Sequence, residues 1–369
     1  MVGTGTALTT MTTRERIGAA VRGEEVDRFP VWLKMANSTW RSAQPEPYAG
    51  MESVELLRAA GCDAMVDVGI SVQSESPHVT RTVTEADGLR TTVCDTPDGR
   101  LIGEERRDPY THSWHPTRYM VQTADDLRRL RWLYTGTSHR VDAESAARAR
   151  ARAAELARSD VYTMSGIGPG PLMDLMQHIA GPVQTIYLMA DEPELFREVT
   201  DLMHADRVRS LEARLAQECA DTFWLTENTS TTLISPAIFR EFCAAHLREY
   251  GDLCWKHGII PVHHMCGTLG ALLEDIDGLP AAANEAYTTR PLGDVSLAEG
   301  RRRMPSKCLI GGTNATLWME GPETILQTVA ADLAECPDRR RMFLTSAGVL
   351  PPPVSFEKAR EVVEGLKRL

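Results

Sequence analysis

Two histidines and a cysteine stand almost side by side in the segment PVHHMCGTLG, residues 261–270. His264 and Cys266 are two positions apart and follow an apolar run. Residues two apart in an extended strand point to the same side, so both side chains can reach one ion. Zinc accepts imidazole nitrogen and thiolate sulfur. The spacing therefore predicts part of a metal site, and the competing interpretation is a packed histidine beside a buried thiol.

A third donor is available on the next predicted strand. Glu285 lies at the end of the segment 281–286, which follows the histidine strand in the chain. A catalytic zinc ion usually has three protein ligands and one open position, and a carboxylate oxygen is an acceptable ligand. We therefore predict His264, Cys266 and Glu285 as the metal-binding set.

The elements that must position these residues are short apolar strands alternating with amphipathic helices. This alternation predicts the α/β class and a single (β/α)8 TIM barrel, with a β-hairpin inserted near residues 71–103. Asp87-Gly88 and Asp98-Gly99 are the turn signals in that insertion. An open doubly wound sheet is the main alternative, but neither GxGxxG nor GxxxxGK[ST] follows the first strands.

Polar residues recur where the predicted strands end. In barrels of this type the chemistry lies at the carboxyl ends of the strands. We therefore expect these positions to converge on one pocket: Lys34, Asn37, Asp67, residues 165–168, Glu227, Asn228, residues 263–266, Glu285, Asn314 and residues 346–347.

Composition narrows the class of partner. The chain has 369 residues and a net charge of -11, which disfavours nucleic acid as a partner. Its eight cysteines contain no CxxC pair and indicate reduced thiols rather than a disulfide framework. The N-terminal residues do not have the pattern of a signal peptide, and no apolar run suggests a membrane span. We expect a cytoplasmic protein with a disordered tail at 1–11 and one domain at 12–369.

Several segments resemble the uroporphyrinogen decarboxylase superfamily, and the resemblance runs from about residue 12 to the end. It implies a TIM barrel and a homodimer. The segments are TTRERIGAAVRGEEVDRFPVW (12–32), LISPAIFREFCAAHLREY (233–250), HMCG (264–267), LIGGTNATLWMEGPETI (309–325) and FLTSAGVLPPPVSFEKAREVV (343–363).

Two branches of this superfamily imply different sites. Decarboxylases carry an arginine-bearing loop of the RQAGR type after the first strand and an aspartate near the end of the second. Here the loop instead contains Lys34 and Arg41, and Asp67 is at about the aspartate position. Those residues, with Arg290, would suit a smaller acid.

The other branch is the zinc- and corrinoid-dependent methyltransferases, and the chain is most similar to methylcobamide:coenzyme M methyltransferases. Their zinc takes histidine and cysteine from HxCG, matched by His264 and Cys266, and a later cysteine. That later position is Ala347 in this chain. Related cobalamin-independent methionine synthases add a glutamate, which Glu285 matches. No DxHxxG motif is present, so the corrinoid would be carried by a separate protein.

Three interpretations remain open at this stage. The first is a methyltransferase or demethylase that uses zinc to move a methyl group between a small methylated substrate or a thiol and a corrinoid protein. The second is a metal-free decarboxylase of a small carboxylic acid, and the third is a degenerate barrel that only binds a ligand. The site residues we predict are Asp67, Glu227 and Asn228 for catalysis; Lys34, Asn37, Arg41, His263, Tyr287, Asn314 and Trp318 for substrate binding; and His264, Cys266 and Glu285 for the metal.

Overall fold

A computed structural model describes residues 10–109 and 112–369. Most of the predicted tail, residues 1–9, lies outside the described residues. Met11 donates its backbone N–H to the Asp27 carboxylate at 2.9 Å.

Within the described residues, fourteen strands form three sheets. In chain order the strands are β1 (Val31–Trp32), β2 (Met65–Asp67), β3 (Val72–Glu75), β4 (Thr80–Ala86), β5 (Leu89–Thr96), β6 (Gly99–Arg107), β7 (Trp114–Arg118), β8 (Ser138–Val141), β9 (Tyr162–Ile167), β10 (Thr222–Thr226), β11 (Ile260–His264), β12 (Ala283–Tyr287), β13 (Cys308–Gly311) and β14 (Met342–Thr345).

Eight of these strands form a parallel barrel in the order β1-β14-β13-β12-β11-β10-β9-β2. β1 and β2 stand at the two ends of this order. They are joined by a backbone hydrogen bond of 2.7 Å from the N–H of Asp63, just before β2, to the carbonyl of Val31 in β1. The predicted (β/α)8 barrel is therefore confirmed. Its strands are almost entirely buried, as expected for a sheet covered by helices.

The inserted β structure is confirmed and is larger than the predicted hairpin. Strands β4 to β7 form a four-stranded antiparallel sheet, and β3 pairs with β8. Asp87 and Gly88 both have positive φ, which is the backbone of a tight hairpin turn. The antiparallel sheet extends to Arg118, beyond the predicted hairpin. Its last strand, β7, has a weak sequence signal because it contains Pro116.

Fourteen α-helices surround or connect the strands of the described residues. None of them is long and apolar enough to span a membrane. They are α1 (Thr13–Arg22), α2 (Ser38–Arg41), α3 (Ser53–Ala59), α4 (Ala124–Leu130), α5 (Ala143–Arg158), α6 (Pro171–Asp174), α7 (Pro182–Asp191), α8 (Pro193–Leu215), α9 (Pro236–Phe242), α10 (Ala244–Lys256), α11 (Leu273–Asp277), α12 (Leu297–Arg303), α13 (Pro322–Ala334) and α14 (Phe356–Leu366).

Helix boundaries follow the local chemistry of the chain. Thr12 and Ser296 form capping boxes with the glutamates three residues later, which satisfies the first free N–H groups of α1 and α12. Proline at the first helical position begins α9, after the capping hydroxyl of Ser235.

A buried ion-pair cluster joins α1 to the amino-terminal end of the barrel. The Asp63 carboxylate, 1% exposed, lies 2.6 Å from Arg16 Nη1 and 2.7 Å from Arg28 Nη1. It also accepts the backbone N–H of Val31 at 2.9 Å. The cluster therefore ties the helix, β1 and the residue before β2 together where the barrel closes.

Candidate active site

Three charged side chains meet at the carboxyl end of the barrel. His264 and Glu285 are register partners on β11 and β12, so their side chains point to the same face. His264 Nδ1 contacts Glu285 Oε2, and Lys34 Nζ lies 2.5 Å from Glu285 Oε1. Lys34 also donates to the Ala347 carbonyl at 2.8 Å. One carboxylate therefore lies between an ammonium and an imidazole.

These contacts shift two pKa values in opposite directions. Burial alone would lower the pKa of His264, but the adjacent Glu285 carboxylate and a hydrogen bond with Cys266 outweigh it and raise the pKa to about 9. Burial alone would raise the pKa of Glu285, but Lys34 and His264 outweigh it and lower the pKa. At neutral pH Glu285 is therefore a carboxylate and His264 an imidazolium.

Cys266 lies on the other side of His264. Its Sγ is 3.7 Å from Asn228 Oδ1, and its thiol hydrogen-bonds the His264 ring. Asn228 donates its amide N–H to Gln177 Oε1 at 2.8 Å, which directs the Asn228 oxygen toward the sulfur. Gln177 belongs to a single π-helical turn, Leu175–Ile179, and such turns are frequent at functional sites.

Two of the three predicted zinc ligands are placed to act as donors. His264 and Cys266 contact each other and present nitrogen and sulfur donors. Glu285 has both carboxylate oxygens next to Lys34 and His264, which is the position of a carboxylate that orients a metal-binding histidine. Over residues 10–109 and 112–369, no three His, Cys, Asp or Glu side chains are arranged to hold one ion. Among the described residues, His264 and Cys266 therefore offer two donors to zinc without a third.

A cavity of about 530 Å³ begins at this polar end. Trp32 and Trp224 form its aromatic wall, with their rings 6.0 Å apart in an edge-to-face arrangement. The other apolar lining residues are Ala36, Val54, Met65, Val66, Met164 and Val349. A cavity of this size and character matches a small organic ligand with an apolar body.

A second cavity of about 410 Å³ lies beside the first. Asp67 lines both cavities and accepts the backbone N–H of Gly69 at 2.9 Å. Gln177, His178 and Asn228 line the second cavity only. It is therefore the more polar of the two.

Of the predicted residues in the loop after β1, some line the cavity and others only stabilise the loop. Asn37 lines the cavity, but its amide caps α2 and donates to the Lys34 carbonyl at 2.6 Å. The Arg41 guanidinium donates to the Met51 carbonyl and does not line either cavity. Lys34 is thus the residue of this loop that reaches the polar end.

Four further predicted residues pack within the protein wall instead of lining the two cavities. His263 is fully buried on the opposite side of β11 from His264, and burial with the nearby Lys307 charge lowers its pKa to about 3. Tyr287 donates its hydroxyl to the Ser296 carbonyl at 2.9 Å. Asn314 donates to the Arg290 carbonyl at 2.9 Å, and Trp318 donates to Thr313 Oγ1 at 2.9 Å.

Glu227 is buried beneath the loop that follows β9. Its Oε2 accepts a hydrogen bond from the Gly170 N–H at 2.7 Å. Glu227 lines neither of the two cavities. Burial raises its pKa to about 7, although the Gly170 and Cys243 hydrogen bonds oppose that rise. This geometry makes Glu227 a support for the loop.

The cavity also contains residues that strand-end reasoning missed. Trp224 and Met164 lie inside strands rather than at their ends. Their signal is alternation: Trp224 is two residues before Thr226, and both point into the barrel. Arg152, on α5, also lines the cavity.

Comparison with solved structures supports the fold. A methyltransferase from Methanosarcina mazei aligns over 97% of this chain and 99% of its own, with a TM-score of 0.62 and 16% identity. The 3-keto-D-glucoside 4-epimerase YcjR from E. coli aligns over 61% and 85%, with a TM-score of 0.36 and 10% identity, too low to support an argument. A search of curated proteins finds no match.

Sequence comparison identifies the family. The model of the family described as uroporphyrinogen decarboxylase (URO-D) matches residues 118–369, which include six of the eight barrel strands, β9 to β14, and the whole His264–Glu285 region. With the barrel and its polar carboxyl end described above, this match shows that the chain belongs to the uroporphyrinogen decarboxylase family.

Proposed function

We propose that the protein is a methyltransferase that acts on a small methylated molecule with an apolar body. The observation that carries this proposal is the aromatic-walled cavity, which ends at His264 and Lys34. A methyl ether, thioether or methylamine would place its apolar part against Trp32 and Trp224 and its heteroatom toward the polar end.

The charges around the cavity favour this substrate class over a carboxylic acid. Lys34 is already paired with Glu285, and Arg290 is paired with Glu299 at 2.7 Å. Arg41 is held by a backbone carbonyl outside the cavity. The three cations predicted to bind a substrate carboxylate are therefore engaged elsewhere, and a carboxylate would have to compete with Glu285 for Lys34.

The residues of the chain have separable roles in this proposal. Trp32 and Trp224 hold the substrate and exclude water. Glu285 fixes the orientation of the His264 ring, and Lys34 fixes Glu285.

Zinc and a corrinoid complete the proposal. Once the His264 ring has lost its proton, His264 and Cys266 would hold the zinc, which supplies Lewis acidity and lowers the pKa of a bound thiol. Two protein donors are fewer than the usual three, so we expect weak binding. The methyl group would be exchanged with a corrinoid on a separate protein.

Metal analysis of the purified chain tests the zinc site. We expect up to one zinc per chain after exposure to zinc and mild dialysis, and loss of that zinc in His264→Ala and in Cys266→Ser. Ala347→Cys should retain zinc at least tenfold better, because it returns a thiolate to the position where related methyltransferases have one.

Cys336→Ser is the matched control, because this thiol is remote from the cavity and donates to the Asp332 carbonyl at 3.4 Å. It should keep the zinc content of the unmodified chain. Equal zinc in all variants, or none in any, would remove zinc from the proposal.

A further inference from the structure

The outer strand of the inserted sheet, β4, has an exposed edge without proline or bulge. All seven residues of β4 are exposed, and β4 pairs with β5 in unbroken register from Thr80↔Asp95 to Ala86↔Leu89. Within residues 10–109 and 112–369, β4 has a strand neighbour on one side only. A long, regular and exposed edge offers free N–H and C=O groups to another strand.

The opposite edge of the same sheet is protected. β7 contains Pro116, and its pairing with β6 is interrupted between Glu104 and Glu105. Proline and bulges are the usual devices that prevent pairing at an edge. β4 has neither device, and its central residue, Val83, is an apolar side chain that is 49% exposed.

A row of alternating charges crosses the sheet and stops at β4. Glu105, Arg90 and Glu85 are successive register partners on β6, β5 and β4. Arg90 Nη1 lies 3.7 Å from Glu105, and Arg90 Nη2 lies 3.2 Å from Glu85. The next strand in this row would continue the alternation with a positive side chain.

We propose that β4 pairs with β4 of a second copy of this chain, antiparallel and about a two-fold axis through Val83. In this register Arg81 of one copy faces Glu85 of the other, and this occurs twice by symmetry. Thr82 faces Thr84, and Val83 faces Val83. The two inserted sheets become one eight-stranded sheet, and each charge row gains the cation that it lacks.

The size of this contact sets its strength. Seven residues on each side are fewer than the roughly 20–30 on each side of a standard interface. The dimer should therefore dissociate on dilution, and high salt should weaken it because its ion pairs are exposed.

Sedimentation velocity of the full chain over a range of concentrations tests the pairing. We expect a monomer–dimer equilibrium that Val83→Lys shifts toward monomer by tenfold or more in Kd, because two ammonium groups would face each other. Thr117→Lys on β7 is the control: it adds the same charge to the protected edge and should leave Kd within about twofold.

Charge reversal at Arg81 and Glu85 is a second test of the β4–β4 pairing that does not depend on Val83. Arg81→Glu and Glu85→Arg should each weaken the dimer, and the double variant should restore it, because the opposite charges again face each other. Circular dichroism verifies that each variant is folded. A chain that stays monomeric at all concentrations, or a dimer that no β4 substitution affects, would overturn the proposal. This inference is independent of the proposed reaction.

Discussion

At the polar end of the barrel, the protonation of His264 depends on the carboxylate of Glu285. Glu285 keeps the pKa of His264 at about 9 despite burial, and Lys34 keeps Glu285 ionised. For Glu227, also a buried glutamate on a neighbouring strand end, burial outweighs the Gly170 and Cys243 hydrogen bonds and the Arg207 charge, and its pKa rises to about 7. Two glutamates at similar depth therefore have different protonation because their neighbours differ.

Glu227 gives a prediction for the pH dependence of stability. The native state holds its proton up to about pH 7, whereas the unfolded chain releases it near its ordinary pKa of 4.5. The free energy of unfolding should therefore fall as pH rises between these values, by about 3 kcal/mol at most. Glu227→Gln should flatten this fall and retain ligand binding, because residue 227 faces away from both cavities.

Urea unfolding at pH 5 and pH 8 measures the difference. Asp67→Asn is a useful comparison, because this carboxylate lines the cavities and is exposed. An unchanged pH dependence in Glu227→Gln would show that this carboxyl group titrates normally.

Strand-end reasoning located some of the residues that meet at the polar end of the barrel and misplaced others. HxCG, Glu285 and Lys34 were predictable because strand ends in a barrel converge. His263 and Tyr287 were assigned to the substrate site from nearness in sequence alone, yet alternation places His263 opposite His264. Tyr287 is displaced by a register shift between residues 285 and 287, where Ala286 has a φ of 60°. Such a bulge has no clear sequence signal.

At the scale of elements, the cavity wall depends on close packing between β9 and β10. Gly166 is the register partner of Trp224, and a Cβ at position 166 would lie 2.5 Å from the Trp224 carbonyl oxygen. Glycine is needed here because the neighbouring backbone occupies the space of a side chain.

Gly166→Ala should therefore lower the free energy of unfolding by about 1–3 kcal/mol and weaken ligand binding through displacement of Trp224. Gly168→Ala is the matched control, because a Cβ there meets nothing within 4 Å. Chemical denaturation and ligand titration of both variants make the comparison. Equal effects would show that the β9–β10 distance does not shape the cavity.

The sequence predicted the barrel helices and strands more completely than the inserted sheet. Alternating apolar strands and amphipathic helices are strong signals, and the tight turn at Asp87-Gly88 correctly indicated a hairpin. The pairing of β3 with β8 joins segments more than 60 residues apart, and sequence periodicity carries no information on such contacts.

For the whole molecule, closure of the barrel depends on Asp63. Asp63→Asn should lower the free energy of unfolding by about 3 kcal/mol or more, because Arg16 stays buried and loses one of its carboxylates. Ligand binding to the folded variant should persist, since the cluster lies at the amino-terminal end of the barrel.

Glu24→Gln is the control for Asp63. Its pair with Arg22 is about half exposed, so the change should cost less than about 1 kcal/mol. Urea titrations at neutral pH compare the two variants, and equal losses would show that the buried cluster does not stabilise the barrel.

Methyl transfer itself is the central claim, and its product can be observed directly. The full chain, supplied with zinc, is incubated with free cob(I)alamin and a panel of small methyl ethers, thioethers and methylamines, each paired with a carboxylic acid of similar size. We expect methylcobalamin from at least one methyl donor, and its loss in His264→Ala and Cys266→Ser. Release of CO₂ from one of the acids, abolished by Asp67→Asn and without any methylcobalamin, would contradict the account.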